Sequence, residues 1–209
     1  MGGDVTNKAK TICGVGINDS NYSVVEHDIR GGVSKITWIC PFYNTWKGMM
    51  GRCYNDKWQS ARPAYIGCSV DPAWHSFMAF RAWMMIQSWE GNQLDKDILF
   101  PGNKIYSKEA CVFVPQRLNG FLTDCSASRG EWPIGVSWNK HAVKFSAVCR
   151  NPFTGKRDHL GYFDSPSKAH ESWRSKKHEH ACRYADMQTD QRIASALRTR
   201  YSGPQISPE

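Results

Sequence analysis

Two acids flank a lysine in Leu94-Asp95-Lys96-Asp97, and an asparagine follows at Asn119. A carboxylate joined by a side-chain amide oxygen makes a hard, sparse shell. Such a shell suits Mg²⁺ or Mn²⁺ and leaves room for water and phosphate. Alternation along a strand puts Asp95 and Asp97 on one face and Lys96 on the other. The plainer reading of the same run is an exposed polar strand end, with Lys96 paired to its acids. No G-x-S-x-G and no P-loop pattern occurs in the chain, so neither a hydrolase triad nor an NTPase has support.

A second set of residues points to nucleic acid. From Pro133 the chain runs PIGVSWNK, then VKFSAVCRNPFTGKRDHLGYF, then SPSKAHESWRSKKHEHACRYA. The pattern predicts three short strands and one long helix. In the middle strand Phe145, Ala147 and Cys149 share one face, while Lys144, Ser146, Val148 and Arg150 share the other. A sheet with an apolar back under a helix and a cationic front suits the DNA major groove. Residues 129–209 carry 14 Lys and Arg against 8 Asp and Glu, which is six of the chain's net +8. The charge surplus therefore sits with the strand pattern.

The segment from Gly130 to Tyr184, with Leu160-Gly161-Tyr162-Phe163 after a glycine-containing turn, resembles the plant APETALA2-type (ethylene-response-factor-type) DNA-binding domain. The resemblance implies that the sheet, not the helix, enters the major groove of double-stranded DNA. It maps the DNA-facing positions onto Ser137, Asn139, Val148, Arg150, Arg157 and His159, with Lys140 and Lys144 as further cations beside them. Only Arg150 and Arg157 keep the plant proteins' residue types, so the base preference of those proteins does not carry over.

The segment 94–122, with Tyr43-x-x-Trp46-x-x-Met49-x-x-Arg52-Cys53-Tyr54-Asn55 upstream, resembles a phage-encoded group of HNH-like (ββα-metal) endonucleases. Members often join such a domain to an APETALA2-type domain, in the order seen here. The resemblance implies a homing or nicking endonuclease that hydrolyses DNA phosphodiesters with Mg²⁺ or Mn²⁺. Asp95 takes the metal-ligand place and Asn119 the helix-ligand place. Lys96 stands where the family has its general-base histidine, and Ala110 where many members have a structural asparagine. A lysine ammonium, with a reference pKa of about 10.4, is a poor base at neutral pH. The alternatives are a catalytically silent DNA-binding or regulatory protein, and a phage factor acting on a host protein.

Other residues offer less chemistry. Eight cysteines occur without a C-x-x-C pair, which predicts reduced, buried thiols. Cys53, Cys68 and Cys111, joined by His75, form a structural zinc site only if the fold gathers them. His141, His159, His170, His178 and His180 all fall in the C-terminal half, and His178 and His180 face different ways on a helix.

The elements that position these residues predict an α+β protein of two small domains. Residues 1–36 read as a polar, irregular arm with one or two short strands. Residues 37–125 form a Trp-rich helical and ββα-like domain. Tyr43, Trp46, Met49, Met50 and Cys53 stand there at helical core spacing. Asp71-Pro72 starts a helix running to about Trp89. Strands are expected at 94–99 and 110–114, then a short helix at 115–122. A linker near Ser126 divides this domain from the three-stranded antiparallel sheet and helix of 129–201, and 202–209 is a tail. The N-terminus lacks an apolar core of signal-peptide length, and no run reaches the ~18 apolar residues of a membrane span. A cytoplasmic protein is the expectation.

Overall fold

A computed structural model describes residues 11–123 and 130–202. The expected linker near Ser126, Cys125, the start of the arm and the last residues of the tail lie outside the described residues. The fold is mixed α and β, with small, mostly antiparallel sheets. It divides into two units, Met1–Val114 and Pro115–Glu209.

In the first unit, β1 (Val25–Arg30) and β2 (Val33–Ile39) pair as an antiparallel ribbon. This ribbon is the strand content expected of the arm, extended slightly beyond residue 36. Helix α1 (Pro41–Tyr54) buries Tyr43, Trp46, Met49, Met50 and Cys53, the stripe seen in the sequence. A Cβ at Gly16 would stand 2.8 Å from the Trp46 ring, so only glycine lets the chain cross it there. A short helix α2 (Asp56–Ala61) and strand β3 (Ser69–Val70) follow.

The helix expected over 71–89 is broken. Pro72–His75 is one 3₁₀ turn, and α3 spans only Phe77–Met85. The cause lies in hydrogen bonds that leave the helix. The Trp74 carbonyl accepts the Trp46 indole N–H at 2.7 Å, and the His75 carbonyl accepts Ile17 N–H at 2.8 Å. Met78 N–H turns to Asp19 Oδ1 at 2.9 Å. Ser76 then caps the new helix through Ala79 N–H at 3.0 Å.

Strand β4 (Asn92–Asp95) stops earlier than Leu99; β5 (Ile105–Tyr106) pairs in parallel with β3, and β6 (Val112–Pro115) pairs with β4. The second unit opens with α4 (Gln116–Leu122). The division therefore falls ahead of the expected boundary near Ser126. The reason is Phe121, whose ring lies 5.1 Å from Tyr184 and 6.1 Å from Tyr201 and whose carbonyl accepts Lys177 Nζ at 2.7 Å.

Strands β7 (Val136–Asn139), β8 (Lys144–Arg150) and β9 (Arg157–Phe163) form one antiparallel sheet in that order. Helix α5 (Pro166–Asp186), capped by Ser165, packs across its back and buries Ala169, Trp173, His180, Ala181, Tyr184 and Ala185. Helix α6 (Gln191–Thr199) folds onto α5 through Ile193, Ala194 and Leu197. Gly135 sits at φ +80, and a Cβ there would fall 2.0 Å from Trp173 Cδ1. The close approach lets the Trp173 indole seat the start of β7. Among the described residues, no helix is long and apolar enough to cross a membrane.

Candidate functional site

Side chains of directly paired residues in a sheet project to the same side. The β7–β8 pairs Val136–Ala147 and Trp138–Phe145 face α5, as do the β8–β9 pairs Phe145–Phe163, Ala147–Gly161 and Cys149–Asp158. Ala147 and Cys149 are buried on that side, and the Trp132 and Trp138 rings each lie 4.9 Å from Phe145. The opposite face carries the pairs Ser137–Ser146, Asn139–Lys144, Ser146–Tyr162, Val148–His159 and Arg150–Arg157. All six positions implied by the APETALA2-type resemblance thus share one outward face.

The members of that face differ in freedom. Arg150 and Arg157 are exposed and stand directly opposite each other on neighbouring strands. Neither forms an ion pair among the described residues. Lys144 is paired with Asp164 at 3.0 Å. Asn139 serves the β7–β8 turn, its Oδ1 accepting His141 N–H at 3.0 Å and Ala142 N–H at 2.9 Å. Lys140 is exposed within that turn, and Ser137 is exposed on β7.

Sequence pattern missed Tyr162. Strict alternation groups it with Asp158 on the helix side. The pairing slips between Ala147 and Val148, where β9 carries an extra residue at Leu160. That bulge turns Tyr162 outward. It is 49% exposed and its ring lies 4.8 Å from that of His159.

The Asp95–Lys96–Asp97 run keeps the lysine–acid pairing of the plainer sequence reading but not its exposure. Lys96 is buried, only 5% exposed. Its Nζ donates to Asp97 Oδ1 and to the Asn103 carbonyl, both at 2.7 Å. Asn103 returns the contact, its Nδ2 donating to the Lys96 carbonyl at 2.9 Å and to the Ile105 carbonyl at 2.6 Å. Lys96 therefore ties both ends of the 96–105 loop, and the exposed strand end is corrected to a buried clamp. Asp95 Oδ1 accepts Asp97 N–H at 2.7 Å and Ile98 N–H at 2.8 Å. The captured amides explain why β4 stops at Asp95. Burial raises the Asp95 pKa above the ordinary carboxylate range, against those two amides.

Asp95 and Asp97 belong to the first unit and Asn119 to the second. Ala110, which the HNH-like resemblance sets in the place of a structural asparagine, is buried. Cys53, Cys68 and Cys111 are all buried. Burial, with Cys68 beside it, pushes the Cys53 thiol up to about 12, and burial also raises Cys111. His75 donates through Nε2 to the Val70 carbonyl at 3.2 Å. Among the described residues, no three His, Cys, Asp or Glu side chains are grouped to hold a metal ion.

In the C-terminal helix, His178 Nε2 lies 3.5 Å from Cys182 Sγ, and His180 is buried with Nε2 3.9 Å from Asp158 Oδ2. They point to different neighbours, as their spacing predicts. His170 Nδ1 donates to the Ile134 carbonyl at 3.0 Å, and His141 is exposed in the β7–β8 turn. Compared with protein families, with curated proteins and with solved structures, the chain finds no match in any of the three.

Proposed function

We propose that this protein binds double-stranded DNA through the outward face of the β7–β8–β9 sheet. One observation carries the reading: Arg150 and Arg157 form an exposed cross-strand pair of like charge with no acid partner among the described residues. Like charges directly opposite each other destabilise a sheet. A polyanion relieves that repulsion and gains two phosphate or guanine contacts at once. Lys156 and Lys140 extend the cationic character to the turns at both ends of the sheet.

In this reading the Asp95–Lys96–Asp97 run fastens a loop and does not hydrolyse phosphodiesters. The Lys96 ammonium is held between an acid and a carbonyl, and Asp95 spends one oxygen on two amides. A DNA-binding or regulatory role follows, in preference to a metal-dependent HNH-like endonuclease. Fluorescence anisotropy with a 30-bp duplex tests the binding, using wild type and the Arg150→Ala/Arg157→Ala variant across a salt series. The double variant should lose about 1–3 kcal/mol for each arginine that reads a base, or show a shallower salt slope for phosphate contacts. Unchanged affinity and slope in a folded double variant removes the sheet from the reading. Plasmid nicking with Mg²⁺ or Mn²⁺ tests the endonuclease alternative: cleavage that Asp95→Ala abolishes would restore it.

A further inference from the structure

The outward face is charged at its ends and neutral in its middle. Lys144 stands at one end of β8 and Arg150 at the other, with Arg157 beside Arg150. Six residues of extended strand separate them, about 20 Å at ~3.3 Å per residue. That span exceeds the ~12 Å width of the major groove. With the cations at the phosphate walls, the central rows face the base edges. Those rows hold Ser137, Ser146, Tyr162, Val148 and His159.

One of these side chains is out of place for an outward position. Ser146 is only 6% exposed. It pairs directly with Tyr162, and its Oγ lies 3.1 Å from His159 Nε2. The His159 and Tyr162 rings meet at 4.8 Å and 59°. A serine hydroxyl holding one imidazole nitrogen, with a phenol ring against the imidazole's flank, fixes the ring's orientation. The remaining nitrogen, Nδ1, has no partner among the described residues and belongs to an exposed side chain.

We infer that Ser146 is a positioning residue: with Tyr162 it aims His159 Nδ1 at a hydrogen-bonding group on a base edge in the major groove. The inference rests on the DNA-binding reading and adds to it a base-reading centre. Its ligand is a purine edge, where N7 accepts from Nδ1–H when Ser146 donates to Nε2. The hydroxyl can also accept from Nε2–H, which would make Nδ1 an acceptor, so the tautomer decides which base-edge group is read.

Two measurements on the full chain separate this inference from the reading beneath it. The first needs no DNA. Long-range ¹H–¹⁵N spectra report the His159 tautomer in wild type, Ser146→Ala and Ser146→Thr. The expected result is a changed tautomer signature in the alanine variant and its restoration by threonine, which keeps the hydroxyl. A spectrum identical in all three overturns the positioning role. The second uses duplexes selected by wild type from a pool with a randomised core, against a mixed-sequence duplex of equal length. Ser146→Ala, and independently the exposed-site variant His159→Ala, should lower the preference for the selected duplex by about 5- to 100-fold, the range of one base contact. Binding to the mixed duplex should stay within about twofold, because phosphate contacts carry it. Equal losses on both duplexes overturn base reading and make His159 a phosphate contact. A wild type that binds neither duplex at low salt removes the DNA-binding reading itself, while the spectra still decide the positioning role.

Discussion

Replacing Lys96 with methionine tests the loop clamp most directly. Methionine keeps an unbranched stem in the buried position but removes the ammonium. Two hydrogen bonds of 2.7 Å disappear, one to Asp97 Oδ1 and one to the Asn103 carbonyl. Bonds to charged groups contribute about 1.5–3 kcal/mol each. The Asp97 bond deserves the lower weight, since its side chain is 42% exposed and water screens it, so about 1 kcal/mol or less is reasonable. The Asn103 carbonyl loses a charged donor, worth about 2 kcal/mol. Better desolvation of the methionine tip offsets about 1 kcal/mol of the total. A net loss of about 2 kcal/mol remains. At about 4 °C per kcal/mol for a unit of this size, that lowers the first unit's melting temperature by about 8 °C. Calorimetry, or tryptophan fluorescence of the Trp-rich first unit, reads the shift. Duplex affinity should hold, because the binding face belongs to the other unit. A melting temperature within 2 °C of wild type would refute the clamp. A catalytic role for Lys96 predicts the opposite pattern, with lost cleavage and little lost stability.

Four further outcomes follow from the same contacts. Arg157→Ala should stabilise the free protein by about 0.2–1 kcal/mol, by removing cross-strand repulsion, while weakening duplex binding; melting and anisotropy on one sample check the opposite signs. Gly135→Ala should cost about 2–4 kcal/mol by chemical denaturation, because the new Cβ collides with Trp173 at a backbone φ of +80. Val143→Gly should raise the melting temperature, since Val143 holds φ +52 in an exposed turn where a β-branched residue is strained. Burial, and then Lys176, lower the His180 pKa in the folded state. The unfolded chain therefore binds that proton first, so this contribution is full above the ordinary histidine range near pH 6.5. It falls as the pH drops toward the folded value, and His180→Leu should flatten that part of the stability profile.

The parts of the fold that the sequence predicts best are those where one local pattern decides. Helix α1 is readable because Tyr43, Trp46, Met49, Met50 and Cys53 follow a single helical stripe. Helix α5 is readable because Ser165 and Pro166 mark its start. The 71–89 helix misleads because tertiary partners claim its backbone: Trp46 and Ile17 take two carbonyls, and Asp19 takes an amide. None of these is near it in sequence, so no local pattern announces them. Arg150 follows from alternation along the middle strand and Arg157 from the APETALA2-type resemblance, whereas Tyr162 requires the bulge at Leu160 to be known.

The same distinction separates the two candidate sites. On the sheet, a residue's face follows from its place in a regular period: alternation sets Arg150 on the outward face, and the APETALA2-type resemblance implies Ser137, Arg157 and His159 beside it, where the strand pairing has them. Around Asp95 the chemistry depends on which groups meet across a loop, and sequence order gives no measure of that. Lys96 is a phosphate clamp or a base if its nitrogen faces solvent, and a structural bolt if Asn103 reaches it. Asn103 does reach it, because the Pro101-Gly102 turn, with Gly102 at φ +79, folds the chain back within hydrogen-bonding distance. Two of the ammonium's donors are then held by groups of its own loop, while on the sheet Arg150 and Arg157 stand exposed with no acid partner among the described residues. Under the proposed reading the polyanion therefore belongs to the sheet of the second unit, and Lys96, buried in the first, keeps a structural task.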